Sequence, residues 1–332
     1  MQFYGHGIDG KYPIIFDHNA HLHFDKYIDF SRRIVLIVDR NVPEKFYQQF
    51  ASCLIYKLDI SEAMKNYEIV GNIISFLMKE KINRDDIIVS IGGGITSDIV
   101  GFLTSIYKRG VNWINIPTTV LAMCDATVGG KTAINFNGYK NMIGTINFPQ
   151  MVIIDLTILK TLNERQIYNG LCEALKMGLT LDKEIIYLLS DYKKNMSKII
   201  KKCIRAKDKI VKKDYFDTNL RHVLNFGHTI GHAYEMLAEK ENIDILHGEA
   251  VLFGMRYMVS DEVLPIIDNY IKQFKINFDH KFSHKQLIKQ VMNDKKNAFE
   301  KIGIVYLTSI NNYEIRYIDE IKLQQILEGG TR

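Results

Sequence analysis

The stretch Ile87-Ile-Val-Ser-Ile-Gly-Gly-Gly-Ile-Thr-Ser-Asp98 decides the fold of the N-terminal half of this chain. It begins as a short apolar run, which is typical of a buried parallel strand. It then turns at Gly92-Gly-Gly94 into a helical pattern that we expect from Ile99 to Tyr107. Glycines between a strand and a helix let backbone N–H groups approach a diphosphate closely. The stretch predicts a nucleotide site, but it is not G-x-G-x-x-G, and a plain tight turn explains the glycines equally well.

Similar apolar runs surround this stretch. We predict further strands at Ile34–Val38, Cys53–Leu58, Trp113–Ile116 and Met151–Ile154, and a helix through Ile69, Val70, Ile73, Ile74 and Leu77. Strands that alternate with helices predict a parallel α/β sheet. After about residue 160 we expect no more strands, because amphipathic helical stripes such as Ile199, Cys203, Ile204, Ile210 and Val211 dominate. The sequence therefore predicts an α/β domain over residues 1–160 and a mostly α-helical domain over residues 161–332.

The composition excludes several classes of protein. With 332 residues, 47% hydrophobic and 24% charged, the chain has the size of about two globular domains. Its net charge of +5 favours small anions over nucleic acid. The Lys-dense interval 193–213 keeps its charges mainly opposite an apolar stripe, so a solvated helix face explains them better than a nucleic-acid patch.

The cysteines and the N-terminus bear on the compartment. Cys53, Cys124, Cys172 and Cys203 form no C-x-x-C pair, which indicates reduced thiols and a cytoplasmic location. The first residues resemble no signal peptide, and Asp98 interrupts the longest apolar stretch. We therefore expect neither export nor a membrane partner.

Histidines in the second half predict a metal centre. In Asn225-Phe-Gly-His-Thr-Ile-Gly-His232, His228 and His232 lie at i and i+4 on one helix face, and His247 follows in Leu246-His-Gly-Glu249. Three imidazoles suit a catalytic zinc with an open position. For an isolated pair of this spacing, a polar helix interior is the commoner explanation. Position 229 is Thr, so the H-E-x-x-H protease signature is absent.

Polar residues in the first half predict an anion site. Pro117-Thr-Thr119, Asp125-Ala-Thr-Val-Gly-Gly-Lys131-Thr and Tyr139-Lys-Asn141 gather hydroxyls, lysines and a glycine pair. Either lysine alone would more often be an inert surface residue. Asp39, at the end of the first predicted strand, could accept from a ribose, although a turn or cap role is more common.

These motifs, in this order, resemble the 3-dehydroquinate synthases, a family within the sugar-phosphate cyclases. The likeness covers roughly residues 33 to 310. The matching blocks include Gly92–Asp98, Tyr107-Lys-Arg-Gly110, Val128-Gly-Gly-Lys131, Leu159-Lys-Thr161, Gly170-Leu-Cys-Glu-Ala-Leu-Lys176, Arg221–His232, Leu246–Glu249 and Asp294-Lys-Lys296. The resemblance implies a Rossmann-like N-terminal domain followed by a helical C-terminal domain.

The resemblance also implies the cofactors. It replaces the three-histidine set by Glu173, His228 and His247 as ligands of one Zn²⁺ or Co²⁺, with His232 facing a substrate phosphate. A carboxylate plus two imidazoles is an open catalytic set. The implied NAD-binding residues are Asp39, Glu62, Lys65, Gly94, Ile95, Thr96, Ser97, Asp98, Thr118, Thr119, Lys131, Lys140, Ile158, Leu159, Lys160 and Thr161.

The implied substrate is a small phosphorylated sugar acid. The residues implied to bind it are Asp125, Lys131, Asn141, Lys176, Lys207, Arg221, Asn225, His232 and either Lys295 or Lys296. Of these two lysines we favour Lys295. Arg109 would come from the second subunit of a homodimer.

Three stretches depart from the family pattern. Ile60-Ser-Glu62 replaces Asp-Gly-Glu, Ser97 replaces the last glycine of the Gly-rich turn, and Asp125-Ala-Thr127 replaces Asp-Ser-Ser. Because a side chain at Ser97 could narrow the approach to the diphosphate, we expect weaker NAD binding there.

The implied reaction turns 3-deoxy-arabino-heptulosonate 7-phosphate into 3-dehydroquinate, a step of the shikimate pathway. It proceeds by transient oxidation with NAD, phosphate elimination, reduction and aldol closure, so no NADH accumulates. Three alternatives remain open: another sugar-phosphate cyclase, a metal- and NAD-dependent polyol dehydrogenase that releases NADH, and a non-catalytic nucleotide-binding regulator. The fold alone does not separate them.

Overall fold

The structure is a computed structural model that describes residues 2–8, 10–278, 282–295 and 301–329. The chain divides into two compact units, residues 1–163 and 164–332. The sequence predicts this boundary at residue 160. Each unit encloses its own set of buried apolar side chains.

A parallel sheet forms the centre of the N-terminal unit. The strands of this unit are β1 (Gln2–Gly7), β2 (Gly10–Phe16), β3 (Ile34–Asp39), β4 (Leu54–Leu58), β5 (Ile87–Gly92), β6 (Asn112–Pro117), β7 (Lys131–Phe136), β8 (Tyr139–Ile146) and β9 (Met151–Ile154). Seven of them form one sheet in the order β1-β2-β9-β6-β5-β3-β4, which is parallel from β2 to β4. The five predicted strands are confirmed.

The order of these strands reverses at one point. From β3 the chain moves outward to β4 and then returns to the other side of β3 to form β5. In open α/β sheets, ligands bind outside the carboxyl ends of the strands at such a reversal. This edge of the sheet, beyond Asp39 and Gly92, is therefore where a cofactor is expected.

Two helices of this unit contribute to its core. Helices α1 (Tyr67–Lys79) and α2 (Gly94–Ile106) bury Val70, Ile73 and Leu103 in one cluster with apolar residues of the strands. Helix α2 begins at Gly94, so the predicted start at Ile99 is wrong. The first turn consists of Gly, Thr, Ser and Asp with a single Ile, and it lacks the apolar spacing that marked the rest of the helix.

Two hairpins of this unit were not predicted. Strands β1 and β2 pair antiparallel at one end of the sheet, and β7 and β8 form a separate two-stranded sheet. Strand β8 is largely exposed or half-buried. It therefore shows no apolar run that would mark it in the sequence.

The C-terminal unit is mainly helical. Its helices are α3 (Glu164–Thr180), α4 (Glu184–Leu189), α5 (Tyr192–Val211), α6 (His228–Lys240), α7 (His247–Met255), α8 (Leu264–Gln273), α9 (His284–Lys295) and α10 (Glu320–Leu327). The unit also contains a hairpin of β10 (Ile302–Ser309) and β11 (Asn312–Ile318). The expectation that strands end near residue 160 is therefore wrong. Strand β10 carries most of the buried apolar residues of the hairpin. The hairpin follows a long run of helices in the sequence.

The predicted stripe on α5 is confirmed in most positions, since Ile199, Cys203, Ile204 and Val211 are buried. The described part of the chain contains no helix long and apolar enough to cross a bilayer. All four cysteines are free thiols.

Candidate active site

The predicted cofactor residues of the N-terminal unit follow the carboxyl ends of its parallel strands. Asp39 ends β3, Glu62 and Lys65 follow β4, Gly94–Asp98 follow β5, Thr118 and Thr119 follow β6, and Ile158–Thr161 follow β9. Since the carboxyl ends of parallel strands meet at one edge, the sheet brings these segments to the same side of the unit.

The glycine turn leaves the start of α2 open. Gly93 precedes the helix with extended backbone angles, and its position carries no capping side chain. The first N–H groups of a helix have no partner inside the helix. A Cβ added at Gly94 would meet nothing within 4 Å. Free donors beside open space fit the approach of an anionic diphosphate.

Ser97, which replaces the family glycine, lies against its own helix. Its amide donates to the Gly93 carbonyl at 3.1 Å and its hydroxyl donates to the Gly94 carbonyl at 2.9 Å. The residue is buried. These bonds occupy the side chain within the first turn, so the expected narrowing of the diphosphate approach has little geometric support. Ser61 likewise has a local role, because its hydroxyl accepts from the Met64 amide at 3.3 Å.

Some of the predicted cofactor residues also have structural roles. The Asp39 carboxylate accepts from the amide of Asn41 at 2.9 Å, as a turn residue does. The Thr119 hydroxyl accepts from the Ala122 amide at 3.1 Å. The Thr118 amide donates to the Gly92 carbonyl at 2.9 Å, which ties the segment after β6 to the glycine turn.

A buried lysine joins two of the predicted binding segments. The Lys65 ammonium forms an ion pair with Asp98 and donates to the side-chain oxygen of Asn141. The Asn141 amide in turn donates to Asn135 at 2.9 Å, and Asn135 donates to the Glu62 carboxylate at 2.8 Å. With its oxygen bound to Lys65, the side-chain amide of Asn141 has its NH₂ group to offer to an anion.

The remaining predicted residues of this unit lie on turns and on the small hairpin. Asp125 belongs to the helical turn Ala122–Ala126, Lys131 begins β7 and Lys140 lies on β8. Arg109 is exposed in left-handed backbone with φ 63°.

Three helices of the C-terminal unit bring the predicted metal ligands together. Glu173 comes from α3, His228 from α6 and His247 from α7. The Glu173 Oε1 atom lies 3.6 Å from the Nε2 atom of each histidine. Four tetrahedral ligand atoms about 2.1 Å from a zinc ion are about 3.4 Å apart. Both Oε1–Nε2 distances are therefore close to the spacing of two ligands around one cation.

Each histidine is oriented through its other nitrogen. His228 Nδ1 lies 3.1 Å from the Phe226 carbonyl, which can only accept, so the neutral ring carries its proton there and keeps a lone pair on Nε2. His247 Nδ1 lies 3.4 Å from the Glu235 carboxylate. Carbonyl or carboxylate partners of this kind orient metal-bound imidazoles in proteins. Sequence reasoning missed Glu235.

The two histidines differ in their electrostatics. Burial, with the nearby Lys176 ammonium, lowers the pKa of His228 well below its ordinary value. For His247, burial also lowers the pKa, but the hydrogen bond and charge of Glu235 outweigh it, so the pKa is raised. His228 is therefore neutral at pH 7 and available as a ligand.

Glu173 passes a further test of fit. It is 1% exposed, and within the described chain its Oε1 atom has no hydrogen-bond partner. The Lys176 ammonium forms an ion pair with Oε2. A buried polar atom needs a partner, and a cation beside Oε1 would supply one. His232 is close as well, since the ligand atoms of His228, His232 and His247 lie within 4.8 Å of one another.

Glycines allow these helices to approach closely. A Cβ added at Gly254 of α7 would lie 2.0 Å from the Gly227 carbonyl oxygen, just before α6. A Cβ at Gly248 would lie 2.1 Å from the Asn169 carbonyl oxygen of α3. Such contacts exclude any side chain at either position. Gly248 and Gly254 thus allow α7 to pack closely against α3 and the start of α6, which carry the other two predicted ligands.

The buried cations of each unit are predicted site residues. Among the described residues, the buried lysines and arginines are Lys65 in the N-terminal unit and Lys176, Lys207 and Arg221 in the C-terminal unit. Lys207 is 6% exposed, whereas other lysines of α5 such as Lys209 face solvent. Burying a cation is costly unless it is paired. Lys65 and Lys176 pair with Asp98 and Glu173 in this structure.

Asp214, which was not predicted from the sequence, fixes the loop that carries Arg221. The buried Asp214 carboxylate accepts from the amides of Thr218, Asn219 and Arg221 at 2.9 to 3.1 Å. The hydrogen bond from the Thr218 amide is the largest of the causes that hold the pKa of Asp214 far below its usual range. Asn225 lies exposed at the end of the same turn, Leu220–Asn225. Lys295 ends α9, but its side chain and Lys296 lie outside the described residues.

Comparisons with known proteins agree with the motifs. Residues 55–169 match the family model described as 3-dehydroquinate synthase N-terminal, and residues 170–297 match 3-dehydroquinate synthase C-terminal. The chain is 38% identical over 311 residues to the 3-dehydroquinate synthase of Picrophilus torridus, covering 89% of this chain and 90% of that protein. It is 33% identical over 349 residues to that of Clostridium tetani, covering 97% and 92%.

Solved structures with low sequence identity share the fold. A 2-epi-5-epi-valiolone synthase from Streptomyces hygroscopicus with NAD⁺ and Zn²⁺ bound has a TM-score of 0.86 at 22% identity, covering 96% of both chains. A 2-deoxy-scyllo-inosose synthase complexed with carbaglucose-6-phosphate, NAD⁺ and Co²⁺ has a TM-score of 0.85 at 22% identity and full coverage. An NADH-dependent butanol dehydrogenase from Thermotoga maritima scores 0.64 at 13% identity, covering 96% of both chains. The predicted fold class is confirmed.

Proposed function

This chain belongs to the 3-dehydroquinate synthase family, and on that premise we propose that it converts 3-deoxy-arabino-heptulosonate 7-phosphate into 3-dehydroquinate and phosphate. The observation that carries the proposal is the convergence of Glu173 Oε1 with the Nε2 atoms of His228 and His247. A non-catalytic nucleotide-binding regulator would not need this set of ligands.

The proposed cofactors are NAD and one Zn²⁺ or Co²⁺ ion. The open start of α2 at Gly94 would receive the NAD diphosphate, and Glu173, His228 and His247 would hold the metal. A bound divalent cation lowers the pKa of a coordinated hydroxyl, and NAD accepts and returns the hydride. The tautomer of His228, fixed by the Phe226 carbonyl, keeps its Nε2 lone pair directed at the site throughout.

The anionic ends of the substrate would be held by different sets of residues. We assign the phosphate to Lys131, Asn141, His232, Arg109 and Lys295. We assign the carboxylate and hydroxyl groups to Lys176, Lys207, Arg221, Asn225 and Asp125. Buried ammonium and guanidinium groups orient anions strongly because little water competes with them. Held in this way, one substrate passes through several steps without leaving the site.

The experiment that tests the function separates it from a dehydrogenase. The purified protein receives the heptulosonate phosphate, NAD at a small fraction of the substrate concentration, and Zn²⁺ or Co²⁺. We expect phosphate release in many-fold excess over NAD, with no lasting absorbance from NADH. One NADH formed for each substrate molecule consumed, without release of phosphate, would favour the polyol dehydrogenase.

A related cyclase is the second candidate, since structures with TM-scores of 0.86 and 0.85 carry that activity in their names. A parallel assay with a hexose 6-phosphate, the kind of sugar phosphate that carbaglucose-6-phosphate mimics, distinguishes it. Faster phosphate release from the hexose phosphate than from the heptulosonate phosphate would move the assignment to that cyclase.

We further propose a cytoplasmic homodimer in which Arg109 acts in the site of the other subunit. Its support is that Arg109 is exposed on a left-handed turn. Mixing inactive Arg109→Ala with inactive Glu173→Gln and allowing subunits to exchange should restore activity, since a heterodimer would contain one site with both residues. No recovery in a mixture that forms heterodimers would show that Arg109 does not act across the interface.

A further inference from the structure

One face of α3 contacts the segment that carries His247, residues 244–249, at three positions. Arg165, Asn169 and Glu173 are four residues apart and therefore line one side of the helix. Glu173 faces Nε2 of His247 at 3.6 Å. Arg165 contacts Asp244 and Glu249, and Asn169 contacts Gly248.

Asn169 holds the residue that follows the histidine. Its side-chain oxygen accepts from the Gly248 amide at 2.6 Å, and both residues are buried. The Gly248 amide belongs to the first turn of α7, where helix geometry provides no partner. Asn169 therefore caps α7 from α3.

Arg165 holds both ends of the segment. Its guanidinium donates to Glu249 from Nε at 2.7 Å and from Nη2 at 2.8 Å, which is a bidentate pair. It also donates to the Asp244 carbonyl at 2.7 Å. Glu249 in turn accepts from the Leu246 amide at 2.9 Å. These bonds fix the backbone immediately before and after His247.

We propose that Arg165 and Asn169 are positioning residues that set His247 against Glu173 and so determine the affinity of the metal site. The inference deepens the proposed function, because it concerns the same metal. Neither residue contacts the ligand atoms. Losing either leaves the set of ligands intact but lets the first turn of α7 shift, which separates Nε2 of His247 from Glu173.

The test measures metal affinity without NAD or substrate. Arg165→Met and Asn169→Ala are titrated with Co²⁺ and Zn²⁺ against a chromogenic chelator, and the visible spectrum of bound Co²⁺ is recorded. We expect Kd to rise about 10-fold, the lower end of the range for losing an outer hydrogen bond of a metal ligand, because neither residue bonds the ring itself. The Co²⁺ spectrum should also change. Asn169→Asp keeps the acceptor and should recover most of the affinity.

A matched control lies at the other end of α7. Arg256 donates to Asp268 at 2.8 Å and is about as exposed as Arg165. Arg256→Met removes the ion pair of a similarly exposed arginine and should leave Kd within about twofold, since it is remote from His247 along the helix. Turnover of the positioning variants should return toward the wild-type value at saturating metal.

The outcomes separate this inference from the proposed function. Metal affinity within twofold of wild type in both Arg165→Met and Asn169→Ala, or an equal loss in Arg256→Met, would overturn the inference. If Arg165→Met does not fold, the Asn169 pair of variants decides it. A wild-type protein that binds metal but releases no phosphate would refute the function and leave the positioning result standing.

Discussion

The predicted sites of the two units are built from different kinds of groups. In the N-terminal unit, the cofactor edge is built mostly from backbone: a glycine turn, the open start of α2 and the carboxyl ends of parallel strands. In the C-terminal unit, the proposed metal centre is built from one buried carboxylate and two half-buried imidazoles on three helices, and each of them faces a second side chain or a carbonyl.

This difference predicts a difference in tolerance. A site made from backbone N–H groups keeps its donors when a side chain changes, provided the new side chain does not fill the space of the ligand. A site made from buried side chains loses a ligand or leaves a charge uncompensated. Substitutions should therefore have graded effects at the cofactor edge and severe effects at the metal centre.

The largest effect is expected for Glu173→Gln. The amide keeps the shape but cannot balance the charge of the metal, so binding should weaken by more than the roughly 10–100-fold that an outer hydrogen bond costs. Turnover should vanish, while NAD affinity, measured by fluorescence titration, should stay within about twofold. Unchanged turnover would exclude Glu173 as a ligand.

Glu235→Gln should have the next largest effect. The variant keeps a polar group near Nδ1 of His247 but removes the carboxylate that orients the ring and raises its pKa. We expect metal affinity about 10-fold lower or more, measured by chelator competition, with kcat restored at high metal concentration. A kcat that stays low at saturating metal would show that Glu235 acts on the reaction rather than on the metal.

Gly94→Ala probes the open space at the start of α2. A Cβ at this position meets no atom of the protein within 4 Å, so the thermal stability should hardly change. If NAD occupies the space, its Kd should rise about 10-fold, equivalent to about 1.4 kcal/mol. An unaltered NAD Kd would place the diphosphate elsewhere.

Ser97→Gly restores the residue of the family pattern and should do little. The Ser97 hydroxyl already bonds within its own turn, and glycine destabilises a helix by only about 0.5 kcal/mol relative to serine. NAD affinity should change by less than about threefold. A much tighter complex in Ser97→Gly would show that the serine obstructs the cofactor after all.

Near neutral pH, Asp214 should contribute almost nothing to the pH dependence of the unfolding free energy. Its pKa in the folded protein lies far below 3.8, its ordinary value. The stability that Asp214 contributes is therefore fully present above pH 3.8 and is lost as the pH falls below it. The difference in unfolding free energy between wild type and Asp214→Asn, from urea titrations, should stay constant from pH 8 to 5 and shrink below 3.8. A difference that already narrows between pH 8 and 5 would contradict this assignment.

The sequence predicted the parallel strands because a strand covered on both faces leaves a continuous apolar run, as Ile87–Ile91 does. The hairpins were missed for the opposite reason, since β8 faces solvent over much of its length. The start of α2 was misplaced because its first turn carries site residues instead of core residues.

Sequence spacing could join His228 to His232, but it could not join either histidine to Glu173. That contact depends on how closely three helices pack, which is set by Gly248 and Gly254. Only the family resemblance suggested Glu173. Glu235 and Asp214 gave no signal in the sequence, because an acidic residue on a helix or in a loop is usually a solvated one.

Anomalous diffraction at the zinc edge, from crystals grown with Zn²⁺ and NAD, tests the central claim most directly. The account predicts a single strong peak in the C-terminal unit, about 2.0–2.2 Å from Glu173 Oε1 and from Nε2 of His228 and His247. A peak bound by His228, His232 and His247 without Glu173, or no peak at these residues, would contradict it.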